Sequence, residues 1–283
     1  MKKLFALHRA RVKGHPWASA FVFLVGLTIL LESYWLGEFA RRAAYLAAIL
    51  FSIAMLDGCY LYWPGKESPL PVRRPKFELG IAAGFLCLSL AWLLVHFQGH
   101  YTPASLAGRL LWAGVGVLLV FSIGLALFEL VVMRYGLKDL GLRFCGLAPI
   151  PAVVLGFGAT AYLTHSGTWH EAVGEVNGRV WLVPIVGFLV AALPEEFSRM
   201  IWQTRLGAVL NSPATGWVTA SVIWSFLHVP NFSTGSDHGL QSLRVAFEMV
   251  PLGLLWGYAT HRSRSLLPAV CLHGTNFWGL QNF

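Results

Sequence analysis

Charged side chains are scarce. Asp, Glu, Lys and Arg make up only 12% of the 283 residues, about half the roughly 25% of a soluble domain. That excludes a soluble globular enzyme and a disordered chain. Acidic residues are the scarcer sign, 13 against 21 Lys and Arg, leaving a net charge of +8. Cysteine is also sparse: Cys59, Cys87, Cys145 and Cys271 form no C-x-x-C pair and read as free thiols in apolar stretches. There is no H-E-x-x-H zinc signature, no lipidation motif and no internal repeat.

Apolar residues fill the gap. They make up 56% of the chain, aromatics 14% with 12 Trp, and the mean hydropathy is +0.62. This is the composition of a polytopic membrane protein with interfacial aromatic belts. The expected fold is an all-α transmembrane bundle of about 8–9 spans. Nine apolar segments qualify, roughly Trp17–Leu36, Ala43–Trp63, Phe77–Phe97, Ala107–Met133, Pro149–Thr164, Val180–Leu206, Ala214–Phe232, Arg244–Ala259 and Leu266–Phe283. The fifth is short and interrupted by Gly and Pro. The first reads as a span, since no cleavage site follows it. Four spans in residues 1–133 form an N-terminal region, and 134–283 form the core that carries the chemistry.

The basic residues follow every second loop. Lys2, Lys3, Arg9, Arg11 and Lys13 precede the first span; Lys66, Arg73, Arg74 and Lys76 follow the second, within a Pro-rich loop. Arg134, Lys138 and Arg143 follow the fourth, Arg205 closes the sixth, and Arg262 and Arg264 follow the eighth. Arg41, Arg42, Arg109 and Arg179 are exceptions. The positive-inside rule then predicts an integral, multi-pass protein with a cytoplasmic N-terminus. Topology accounts for the +8 charge, and no nucleic-acid partner is implied.

An ionisable residue inside a span costs at least about 2.5–3.5 kcal/mol on insertion scales, so each is a candidate for function. Glu32, Asp57 and Glu129 lie toward span ends and are expected to reach the interface. Glu248 stands four residues after Arg244, a helical ion-pair spacing. The sixth span differs: Pro194-Glu195-Glu196-Phe197-Ser198-Arg199 lies within an apolar run. One arginine cannot fully neutralise two adjacent carboxylates, so either a second cationic partner exists or one carboxyl stays protonated near neutral pH, as a general base or acid requires. The two glutamates lie about 100° apart around a helix, so one faces a site and the other the arginine or a neighbour. His228 follows in the seventh span, four residues after Trp224 and one turn before Asn231. In the ninth span His273 and Asn276 are three apart, on one helix face. His8, His15, His96, His100, His165, His170, His238 and His261 read as solvated.

Three motifs in this order resemble the CPBP family of CAAX proteases and bacteriocin-processing enzymes, also called the Abi family. The family pattern is Glu-Glu-x-x-x-Arg, then Phe-x-x-x-His, then His-x-x-x-Asn/Asp. This chain has Glu195-Glu196-x-x-Arg199, Trp224-x-x-x-His228 and His273-x-x-Asn276. The first and third are one residue short, and Trp replaces Phe. The flanking run Gly257-Tyr258 to Ser265-Leu266-Leu267-Pro268-Ala269 also resembles the family, as does Asp139-Leu140-Gly141-Leu142-Arg143. The likeness covers about residues 134–280.

The resemblance implies a glutamate-type intramembrane endopeptidase acting on a membrane-associated or lipid-modified peptide or protein substrate within the lipid bilayer, as in a bacterial inner membrane. Glu195 or Glu196 with His228 would activate water, and His273 with Asn276 would stabilise the oxyanion. Arg199, Trp224 and Asn231 would support them. Glu195 is the first choice because it keeps the i,i+4 relation to Arg199; Glu196 stays a contender. No cofactor is expected; two Glu and two His as zinc ligands are the alternative. Two further readings are a catalytically inactive membrane binding or immunity protein and a proton-coupled transporter.

Overall fold

A computed structural model describes residues 2–63, 68–97, 122–146, 148–164, 183–229 and 239–275. Every regular element among them is helical. In chain order these are α1 (Lys2–Gly14), α2 (Pro16–Trp35), α3 (Phe39–Tyr62), α4 (Pro75–Phe97), a helical turn Leu125–Leu127 continuing π-helical over Phe128–Val132, α5 (Pro149–Thr164), a π-helical stretch Val183–Ala192, α6 (Leu193–Val209), α7 (Pro213–Phe226), α8 (Gly239–Glu248), α9 (Val250–Ser263) and α10 (Leu267–Gly274).

Three helices are long and apolar enough to cross a membrane among the described residues: Pro16–Trp35, Phe39–Tyr62 and, within α4, Pro75–Trp92. The first three expected spans and the fifth coincide with α2, α3, α4 and α5. The described residues do not confirm the expected count of eight to nine. The expected eighth span is divided between α8 and α9 at Met249. Pro251 sits in the first turn of α9; its ring and missing N–H prevent a helix from running through from α8. Much of the expected fourth and ninth spans lies outside the described residues.

The chain divides into two compact units. The first comprises Met1–Pro69, Gly141–Leu193 and Glu248–Phe283; the second comprises Leu70–Leu140 and Pro194–Phe247.

In the first unit α3 lies along α5. They approach closely at Gly156, where an added Cβ would fall 3.2 Å from the Cα of Ser52. The expected loop exception Arg42 donates to Glu248 at 2.5 Å, so Glu248 is paired across helices by Arg42, a partner the i,i+4 spacing did not suggest. The neighbouring Arg41 donates to Glu38 at 2.7 Å. The two flanking runs singled out in the sequence meet here. Leu266 N–H donates to the Gly141 carbonyl at 2.9 Å, Arg143 Nε–H to the Arg264 carbonyl at 2.5 Å, and Ser265 Oγ–H to the Arg143 carbonyl at 2.7 Å. Gly141 has φ +78°, and a Cβ there would meet Leu266 Cγ at 3.0 Å. Both backbone conformation and space therefore call for glycine.

In the second unit α6 and α7 form an antiparallel hairpin. Asn211 adopts φ 49°, the left-handed turn typical just past a helix end. Ser212 caps α7, its Oγ accepting from Thr215 N–H at 3.2 Å, and Pro213 opens the helix. The two helices touch backbone to backbone. A Cβ on Gly216 would lie 2.7 Å from the Cα of Gly207 and would strike the Gln203 carbonyl.

The far end of α6 is held by a buried ion cluster. Arg205, Glu78 and Glu129 are each 0% exposed. Arg205 Nε–H donates to Glu78 at 2.7 Å, and Arg205 Nη2 lies 3.2 Å from Glu129. Tyr135 Oη–H donates to Glu78 at 3.0 Å. Arg205 is thus a buried ion-pair partner and not the loop cation that the charge pattern suggested. Glu129 likewise points into protein instead of reaching the interface.

Candidate active site

The α6–α7 hairpin sets the levels of the motif residues. Glu195 stands twelve residues before Gly207 and His228 twelve after Gly216, each about 18 Å from the crossing at roughly 1.5 Å per residue. In antiparallel helices, equal distances from the crossing place two residues at one level. Reading each span separately puts Glu195 at mid-membrane and His228 nearer a face. The hairpin removes that difference.

At this level three side chains converge. The Trp224 indole Nε1–H donates to Glu195 Oε2 at 2.9 Å. His228 Nε2 lies 3.6 Å from the same oxygen. His228 Nδ1 is 2.9 Å from the Trp224 carbonyl, and the two rings meet edge to face at 4.5 Å. Trp224 is buried, whereas the Glu195 side chain is 37% exposed and that of His228 18%. A rigid, buried indole therefore positions two partly accessible groups.

The geometry fixes the histidine tautomer. A carbonyl only accepts, so Nδ1 carries the hydrogen and Nε2 of a neutral ring presents its lone pair. Glu195 Oε2 is also an acceptor when ionised. A proton then lies between the two groups: on Nε2 of an imidazolium, on the carboxyl, or on a water hydrogen-bonding to both. Such an arrangement suits proton transfer.

Glu196 points elsewhere. It is 0% exposed and ion-paired with Arg199 three residues on. Glu195 thus meets the imidazole and Glu196 the guanidinium, while Arg199 also feels the charge of Glu195. Upstream, the chain is π-helical to Ala192 and becomes α-helical at Leu193. Pro194 has no N–H to offer the preceding turn, and its carbonyl accepts Ser198 Oγ–H at 2.9 Å.

His273 lies in the first unit, on α10. It is buried and stacked on Trp256, with 3.9 Å between centroids and 12° between planes. Gly274, next along, allows close approach to the π-helical stretch: a Cβ there would fall 2.7 Å from the Phe188 ring. Asn231 and Asn276 lie outside the described residues. Among the described residues no three His, Cys, Asp or Glu side chains converge in the manner of a metal site.

Several partners were missed in the sequence. Glu78 opens a span, where a charge draws little notice, yet it is the main acceptor for Arg205. Asp57, expected at an interface, is 0% exposed and surrounded by Arg11, Arg262 and Tyr258. His8, read as solvated, lies 3.6 Å from Asp57. For Asp57 the available signal was a lone acid inside an apolar span that Lys66, Arg73, Arg74 and Lys76 follow.

Comparison with known proteins follows the same residues. Residues 177–278 match the family model described as type II CAAX prenyl endopeptidase Rce1-like, which is consistent with the CPBP resemblance. The match covers a little over a third of the chain and includes all three motifs. No curated protein and no solved structure matches the chain.

Proposed function

We propose that the protein is an intramembrane endopeptidase in which Glu195 and His228 activate the hydrolytic water. The observation that carries this reading is the meeting of the Trp224 indole and the His228 imidazole at one oxygen of Glu195, which leaves a proton-transfer position between two acceptors. The family match over 177–278 supports protease chemistry.

Water at that position donates one hydrogen to Glu195 Oε2 and the other to His228 Nε2. As its oxygen bonds to the peptide carbonyl carbon, the O–H bond facing Glu195 breaks and the carboxylate takes the proton. Collapse of the tetrahedral intermediate breaks the C–N bond, and Glu195 returns the proton to the departing nitrogen. The products are a carboxylic acid and an amine, which part as carboxylate and ammonium once the acid's proton passes to the amine. Glu196 and Arg199 neutralise each other and brace the helix behind Glu195. His273 and Asn276 are assigned to the oxyanion by motif order. The substrate is a membrane-associated or lipid-modified peptide, no metal is required, and the N-terminus is cytoplasmic in a bacterial inner membrane.

The shortened first and third motifs favour one competing reading, a catalytically inactive protein that binds such peptides. Purified protein with a membrane-anchored peptide library separates the two. The proteolytic reading expects cleavage that persists in chelator and is lost in Glu195→Gln and His228→Ala. Binding without cleavage, or cleavage at wild-type rate in both variants, contradicts it.

A further inference from the structure

Asp57 is the centre of a second charged cluster, distinct in its balance from that of Arg205. In the Arg205 cluster one guanidinium serves two carboxylates. Around Asp57 the ratio is reversed. Arg11, from α1, donates through Nη1 to Asp57 and to the Tyr258 hydroxyl oxygen. Arg262, in the last turn of α9, donates through Nε to Asp57 at 3.0 Å. Tyr258 Oη–H donates to Asp57 at 2.6 Å, and His8 Nε2 stands at 3.6 Å.

One buried carboxylate needs one cation; here it has two permanent ones. Arginine stays charged at any physiological pH, so the cluster carries at least one uncompensated positive charge. Asp57 is fully buried, whereas the Arg11 side chain is 31% exposed and that of Arg262 26%. The Nη groups of Arg262 and the Nη2 of Arg11 have no partner among the described residues, while the Arg262 guanidinium lies over the Tyr60 ring at 4.6 Å. Asp57 thus anchors two guanidinium forks from below, and their free N–H groups remain on the accessible side. Nearby His261, itself buried, feels the positive charge of Arg264, Arg11, Arg262 and His15.

Position selects the anion. Asp57 lies five residues from the end of α3, a helix of spanning length, which is about 8 Å at roughly 1.5 Å per residue. For a helix of this length that places the carboxylate a few ångströms inside the hydrocarbon edge, from where long arginine side chains reach outward to headgroup level. The α1 helix brings five basic and no acidic residues to the same end, with Phe5 and Val12 exposed. This pattern suits a helix lying on an anionic lipid surface. Paired guanidinium forks match phosphate oxygens better than any other common headgroup feature.

We propose that Arg11 and Arg262, held apart on Asp57, form a binding site for the phosphate of an anionic phospholipid headgroup. The site requires only that the chain be embedded in a membrane and is independent of the proteolytic reading.

Full-length protein in neutral detergent is titrated with phosphatidylglycerol, phosphatidylcholine or inorganic phosphate, following the thermal midpoint and bound lipid by native mass spectrometry. The expected result is saturable stabilisation by phosphatidylglycerol alone, a half-saturating concentration at least tenfold higher in Arg262→Gln, and a change within twofold in Lys13→Gln. Equal stabilisation by phosphatidylcholine or inorganic phosphate overturns the assignment. So does a folded Arg262→Gln with wild-type affinity, or an equal loss in Lys13→Gln, which would mean diffuse attraction. Where Arg262→Gln does not fold, Arg262→Lys decides: it keeps the charge but not the fork, so the half-saturating phosphatidylglycerol concentration is expected to rise at least fivefold, and an unchanged value counts against the site.

Discussion

Gly216 rests against the backbone of Gly207, with 2.7 Å between a Cβ built on the first and the Cα of the second. Backbone cannot yield as a side-chain tip does, so a methyl group there must push α6 and α7 apart. Because Glu195 and His228 lie about 18 Å along each helix, a small rotation at the crossing becomes a large displacement at the dyad. Gly216→Ala is expected to lower the thermal midpoint and to reduce peptide cleavage at least a hundredfold. Overpacking of this kind typically costs about 1–3 kcal/mol. Wild-type melting and activity would show that the crossing does not position the site.

Trp224 stands where the family pattern has phenylalanine. Phenylalanine keeps the ring but cannot donate to Glu195. Trp224→Phe is therefore expected to keep the fold and KM while lowering kcat about tenfold to a hundredfold, the scale of a lost hydrogen bond to a charged group at about 1.5–3 kcal/mol. The measurement is steady-state cleavage alongside melting; an unchanged kcat removes the role of the indole N–H.

The two glutamates are expected to fail differently. Glu195→Gln keeps a similar shape beside His228 and removes the proton acceptor, so stability holds and cleavage stops. Glu196→Gln removes the ion-pair partner of buried Arg199, and the expected loss is of stability first, by about 3 kcal/mol or more. Denaturant unfolding and cleavage assays on both variants check this. The reverse pattern would make Glu196 the base.

Arg205→Met removes the cation from between Glu78 and Glu129, leaving two buried carboxylates to repel each other. A destabilisation of about 3–5 kcal/mol is expected, partly restored by adding Glu78→Gln. A melting curve like that of wild type would show that the cluster contributes little to holding α6.

The helical class was legible because hydropathy alone requires it. The start of α5 was also readable, since Pro149 marks it. The division of the expected eighth span was not. Hydropathy does not distinguish one helix from two that break at Pro251, and it assigns Arg205 to a loop because sequence carries no sign of Glu78 and Glu129 around it. Within the site, Glu195, Glu196, Arg199 and His228 stood out as charges in an apolar context. The division of roles between the glutamates did not, because a 100° separation shows that they diverge without showing which neighbour each meets. The Trp224 hydrogen bond was hidden for a similar reason. Indole in an apolar helix reads as packing until its Nε1 is placed against Glu195. The common level of Glu195 and His228 depends on Gly207 and Gly216 meeting, a long-range contact that no local pattern reports.

The central claim is that Glu195 and His228 act on one proton-transfer event. A double-mutant cycle on kcat/KM tests it directly, using Glu195→Gln, His228→Ala and the pair together on one membrane-anchored peptide. Residues acting as a unit give losses far from additive, so the double variant is expected to be no slower than the worse single variant. Losses that multiply, or a single variant that cleaves like wild type, would contradict the account.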